Sequence, residues 1–176
     1  MQTVRSWDKE IGRVTWGGDN FVIQGSQVFE GAKALYNNTG GDSVIGKKGV
    51  QRSDGRQTFW LKTENHPPHA ELRISKGLWA GNTGIFAAVY FRDNGKVSYW
   101  NGSTAIEFTN FNDEEWTRLD IEWRSNDRKA RYRVNSGVWT RWDAFGGSSS
   151  FTNFDYVGID FNLPSGAGGV YVDMLQ

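Results

Sequence analysis

Cysteine is absent from the 176 residues, so disulfides and thiolate metal sites are excluded. The compartment stays open, because surface domains without cysteine are common. Charge of one sign is also missing. Lys plus Arg is 20 and Asp plus Glu is 20, which argues against a dedicated nucleic-acid binder or a basic membrane-surface protein. No apolar run approaches the roughly eighteen residues of a membrane span, so no membrane insertion is expected. Histidine is limited to His66 and His69, on either side of Pro67-Pro68. A segment reading HPPH cannot be helix interior, and a metal site needs three or four ligands, so it reads as a rigid loop. No Ser-His-Asp grouping, P-loop or dinucleotide fingerprint occurs. The opening MQTVRSWDKEIG carries no apolar segment and does not read as a signal peptide. A removed leader, an excised domain and leaderless export all remain open.

What the chain does have is glycine, at 22 residues, and aromatics: nine Trp, six Tyr and eleven Phe. With β-branched residues these suggest many strands joined by tight turns. Alternation predicts strands over 57–63, 70–75, 84–91, 96–100, 115–124, 129–135, 138–145, 156–162 and 169–175. Weaker candidates are RVTW (13–16), FVIQ (21–24), DSVIGKK (42–48) and EGAKALYNN (30–38), the last with helical composition interrupted by Gly31. Asp93-Asn94-Gly95 predicts a hairpin between the 84–91 and 96–100 strands. No repeat or dividing linker is present; GGSSS (146–150) is too short to separate domains. The length suits one domain, and about a dozen short strands imply a single all-β, two-sheet antiparallel sandwich over 1–176.

The stretch EEWTRLDIEWRS (114–125) concentrates four carboxylates, which raises the question of catalysis. Register answers it. Leu119, Ile121 and Trp123 alternate with Arg118, Asp120, Glu122 and Arg124. The next strand sets Ala130, Tyr132 and Val134 against Lys129, Arg131 and Arg133. If the polar turn SNDR (125–128) closes a hairpin, Trp123 faces Ala130, Ile121 faces Tyr132 and Leu119 faces Val134. A slip of one residue destroys that match. The same register sets Glu122 against Arg131 and Asp120 against Arg133, a cross-strand charge ladder expected on the exposed face. As a glycosidase pair, Asp120 and Glu122 have Cα atoms about 6.6–7 Å apart, and their side chains could reach a retaining separation. Opposed arginines favour the ionised form, however, which is the wrong direction for a catalytic acid.

The order of a "FWLKT" strand, an "FRDNGKVSYW" hairpin, a "WTRLDIEW" strand and a closing "VYVDML" strand resembles the concanavalin A-like jelly rolls, especially laminin G-like domains and carbohydrate-binding modules. The resemblance covers residues 55 to 176 and implies a jelly-roll form of the sandwich. Glucanases of that fold carry Glu, Asp and Glu at alternate strand positions; this chain has Arg118, Asp120 and Glu122 there. The resemblance therefore implies binding without cleavage, an inference by analogy. It also implies a structural Ca²⁺ held by Asp173 in the last strand, with Asp8 or Glu30 and backbone carbonyls as partners.

Sugar sites commonly present exposed aromatic rings to the apolar faces of pyranoses. Parity places Phe86, Tyr90 and Trp100 on the outward face of the 84–100 hairpin, with Ser98 beside Tyr90. Trp60 is off the core parity, one of Trp139 and Trp142 points outward, and Trp79 sits in a loop-like stretch. Asn101, Arg141 and Asp143 are candidates to orient a ligand. Trp123 and Trp116 are expected in the core. The leading expectation is a non-catalytic domain that binds a poly- or oligosaccharide, extracellular or on a particle surface. A structural or adhesion domain of a virion or appendage, making mainly protein contacts as a homo-oligomer or larger assembly, is the alternative. A lyase or hydrolase with a site that no motif reveals is the third.

Overall fold

A computed structural model describes residues 21–27, 29, 34–37, 41–52, 54–65, 70–75, 84–144, 154–163 and 168–175. The RVTW and HPPH segments, Asp8, Glu30 and Trp79 lie outside them. In chain order the strands are β1 Phe21–Gln24, β2 Ala34–Asn37, β3 Gly41–Arg52, β4 Asp54–Thr63, β5 Ala70–Ser75, β6 Ile85–Phe91 and β7 Lys96–Trp100. They continue as β8 Ala105–Asn110, β9 Thr117–Arg124, β10 Lys129–Val134, β11 Asp143–Ala144, β12 Phe154–Leu163 and β13 Val170–Leu175. A seven-stranded sheet runs β1-β2-β13-β4-β9-β10-β11 and a six-stranded sheet runs β3-β12-β5-β6-β7-β8. Every ladder is antiparallel.

The alternation sets the layers. Phe59, Leu61, Leu119, Ile121, Trp123, Tyr132 and Val172 come from the seven-stranded sheet, and Leu72, Ile74, Val89, Phe91, Val97 and Tyr99 from the six-stranded one; together they form one buried core. Burying side chains of this size contributes about 1.5–3 kcal/mol each before entropy is counted. The β9–β10 register is the one the charges and apolar residues predict: Arg124 faces Lys129, Glu122 faces Arg131 and Asp120 faces Arg133. The β6–β7 hairpin also forms in the expected register, Val89 to Tyr99 and Phe91 to Val97. Gly95, at φ 72°, takes the left-handed position its turn requires.

Three differences from the sequence reading have local causes. Phe86 does not share the outward face with Tyr90; it is 2% exposed and belongs to the core. Ile74 pairs with Ala87 and Ser75 with Ile85, so Phe86 is the extra residue of a β-bulge, and the bulge turns it inward. The 138–145 strand shrinks to Asp143–Ala144. Asn135 and Ser136 hold positive φ, and Thr140 Oγ1 accepts the Tyr132 N–H that a backbone carbonyl would take in a continued ladder. Strand β8 went unread, although Ile106 and Phe108 alternate with Glu107 and Thr109 and do pack against the core.

Candidate functional site

Parity on the six-stranded sheet aims Leu72, Ile74, Val89, Val97 and Tyr99 at the core, so Glu71, Arg73, Ala88, Tyr90, Ser98 and Trp100 point the other way. Pairing aligns Glu71, Tyr90, Ser98 and Glu107 in one row across β5, β6, β7 and β8, with Arg73 opposite Ala88 in the next. These outward residues are unusual in being buried: Arg73 is 4% exposed, Ser98 3% and Ala88 0%. Tyr90 and Trp100 are half-buried on the same face, and Glu107 is exposed. The Ser98 hydroxyl has no hydrogen-bond partner among the described residues, a cost that a bound polar group removes. The Arg92 guanidinium lies 4.6 Å from the centre of the Tyr90 ring. Burial, and then the Glu71 carboxylate, push the Tyr90 phenol well above its ordinary pKa, so Tyr90 keeps its proton as a hydrogen-bond donor.

The outer face of the seven-stranded sheet is built differently. The Asp120 side chain is fully buried there, which corrects the expectation of an exposed ladder. Its carboxylate accepts from Thr58 Oγ1 at 2.7 Å and Arg133 at 2.7 and 2.9 Å, and is bridged by Arg56 at 2.9 Å and Arg118 at 3.1 Å. Burial pushes this carboxyl up, but the bonds from Thr58, Arg56, Arg133 and Arg118 outweigh it and hold the pKa at about 2. Beside it Glu122 pairs with Arg131 at 2.6 Å. The half-buried Trp139 ring has Arg133, Arg131 and Arg56 at 4.6, 4.7 and 5.2 Å, and Trp142 has Arg124 and Arg131 at 4.0 and 4.6 Å. Further along, Trp60 stacks on Phe29 at 3.5 Å, with Trp116 edge-on to Phe29. Trp116 is thus half-buried outside the core that Trp123 joins.

The predicted site residues accordingly separate. Tyr90 and Trp100 share the six-stranded face, whereas Trp60 and Trp139 lie on the opposite one. Asn101 follows β7, where its Oδ1 accepts from the Ser103 N–H and hydroxyl and the Thr104 N–H, so it shapes the turn into β8. Asp143 pairs with the inward Ala130 and accepts from the Tyr99 hydroxyl at 2.6 Å and Arg141 Nε at 2.9 Å. Burial first, then that bond, push Tyr99 up to about 12. Arg141 and Asp143 thus close the edge between the sheets. Asp173 is buried in β13 opposite Trp60, and the described residues hold no group of three or more metal-ligating side chains. The proposed calcium therefore depends on Asp8 or Glu30, outside the described residues. Sequence reasoning missed Glu71 and Arg73 as site residues; alternation in AELRIS aims them outward, but only the ladder shows them beside Tyr90. It also missed the Arg–Trp cluster, which joins β4, β9, β10 and the segment before β11.

Neither a family model nor a curated protein matches the chain in sequence. Solved structures match it in fold. A sialidase superposes with a TM-score of 0.62 at 12% identity over 88% of this chain, which spans only 16% of that one. A legume lectin-like domain from Entamoeba histolytica gives 0.55 at 15% identity, covering 96% of this chain and 91% of that one. The carbohydrate recognition domain of Emp47p gives 0.51 at 10% identity, covering 90% and 89%. The fold is a concanavalin A-like jelly-roll sandwich, as the order of strands and turns implied.

Proposed function

We propose that this chain is a non-catalytic carbohydrate-binding domain that holds a poly- or oligosaccharide on the outer face of its six-stranded sheet. The observation that carries the reading is the row Glu71–Tyr90–Ser98–Glu107, which sets a half-buried aromatic ring, an unpartnered hydroxyl and an exposed carboxylate side by side on the face that Trp100 shares. A sugar needs both halves of that arrangement. Its apolar face packs on a flat ring, and its hydroxyls pair with fixed donors and acceptors beside it. Ser98 supplies an unused hydroxyl and Glu107 exposed acceptor oxygens. The likeness to lectin-like and carbohydrate recognition domains supports the same reading. Binding without cleavage fits Asp120, whose carboxyl stays ionised far below neutral pH, and Arg118, which stands where glucanases of similar strand pattern carry an acid. A domain of this kind acts outside the cell or on a particle surface.

Affinity gel electrophoresis against neutral polysaccharides tests it. One glycan class is expected to retard the protein. Tyr90→Ala and Trp100→Ala each weaken retardation about tenfold while the variants still unfold cooperatively, and Trp139→Ala leaves it unaltered. Absence of retardation across the panel points instead to a structural or adhesion domain.

A further inference from the structure

The outer face of the seven-stranded sheet carries an excess of positive charge in a chain whose total is zero. Three guanidiniums, Arg56, Arg118 and Arg133, converge on the single carboxylate of Asp120. One carboxylate neutralises one of them, and its two oxygens take only a fraction of the fifteen or so N–H groups that three guanidiniums offer. Arg118 Nε is buried and has no hydrogen-bond partner among the described residues. Arg131 and Glu122 cancel each other next door, while Arg124 and Lys129 extend the cationic surface toward the sheet edge. Asp120 therefore works as a buried anchor that splays the guanidiniums in fixed positions. The Trp139 ring, set among Arg56, Arg131 and Arg133, stiffens them further. A preorganised array of planar donors loses little entropy on binding.

We infer that this face is a second binding site, separate from the six-stranded face, and that its ligand is an acidic polysaccharide bearing carboxylates, a polyuronate. Charge complementarity selects an anion. The fork geometry of fixed guanidiniums matches planar carboxylates, which each accept two parallel N–H bonds. Spacing selects a polymer over a single ion. Arg118 and Arg124 stand toward the two ends of β9, and Arg56 on the neighbouring β4 lies opposite Glu122 between them, so charges repeated along one chain meet successive arginines.

Affinity electrophoresis in gels containing polygalacturonate tests the inference, with dextran, heparin and poly-glutamate gels alongside. Polygalacturonate is expected to retard the protein, and to do so less as salt is raised. Arg56 is the substitution of choice, because its side chain is 43% exposed, more than those of Arg118 and Arg133, and a melting temperature taken on each variant shows that it folds. Arg56→Glu should weaken polygalacturonate retardation about tenfold or more, Arg56→Lys should retain most of it, and Tyr90→Ala should leave it intact. Neutral-glycan binding, if observed, should survive Arg56→Glu, which separates the fate of this site from that of the six-stranded face. No retardation by polygalacturonate overturns the inference. So does retardation that Arg56→Glu leaves unchanged, retardation by heparin alone, or equal retardation by poly-glutamate, which would mark an acidic protein partner.

Discussion

At the scale of single residues, Asp120 carries the most consequence. It is a fully buried charge whose acceptor capacity is filled by Thr58 and three arginines. Removing the charge leaves those guanidiniums facing one another. Asp120→Asn should therefore lower stability by about 3 kcal/mol or more, read from urea denaturation. The pH dependence follows in sign. The folded pKa of about 2 lies below the ordinary 3.8, so Asp120 stabilises the fold fully above about pH 4 and loses that contribution as pH falls toward 2. The urea midpoint of the native chain should drop across that window more steeply than that of Asp120→Asn. The pairing with Arg133 was legible in the sequence, because both residues lie in one hairpin whose register the apolar positions fix. The burial was not. It depends on Arg56 and Thr58 from a strand distant in sequence, and no local pattern announces that a third and fourth partner will arrive.

At the scale of elements, alternation carried most of the information, and it failed where the backbone broke its period. The β6 bulge turns Phe86 into the core, and nothing in GIFAAVYF marks which residue is the extra one. The segment after β10 alternates as a strand should, yet Thr140 caps Tyr132 with its side chain, and the arginines hold Trp139 and Trp142 instead of a ladder. Close approach between elements is equally invisible in sequence. Gly55 on β4 lies opposite Trp123 on β9, and a Cβ there would collide with the indole ring. Gly55→Ala should cost about 1–3 kcal/mol through overpacking. Most of that loss should vanish in a Trp123→Phe background, because the smaller ring leaves room; a double-mutant cycle in urea measures the difference.

At the scale of the whole molecule, the jelly roll presents two outer faces with different chemistry across one shared core. The fold class was legible because most strands repeat a local two-residue period that needs no partner to be seen. The division of the aromatics between faces was not, since it depends on which sheet each strand joins. Tyr90 on β6 and Trp60 on β4 were read as one exposed set, yet their sheets are different and their side chains point in opposite directions. Two packed layers, roughly 10 Å apart, separate them. Residues that share neither a partner nor a cavity contribute independently to stability, within about 0.3–0.5 kcal/mol. Tyr90 touches Arg92 and its own sheet, and Trp60 touches Phe29 and Arg118. The destabilisation of Tyr90→Ala plus that of Trp60→Ala should therefore equal that of the double variant inside that margin. A coupling well beyond it would mean that the two faces communicate through the core, and ligand on one would then change affinity on the other. Additivity leaves each face to bind on its own terms, so that a neutral chain and an acidic one can occupy the same molecule together.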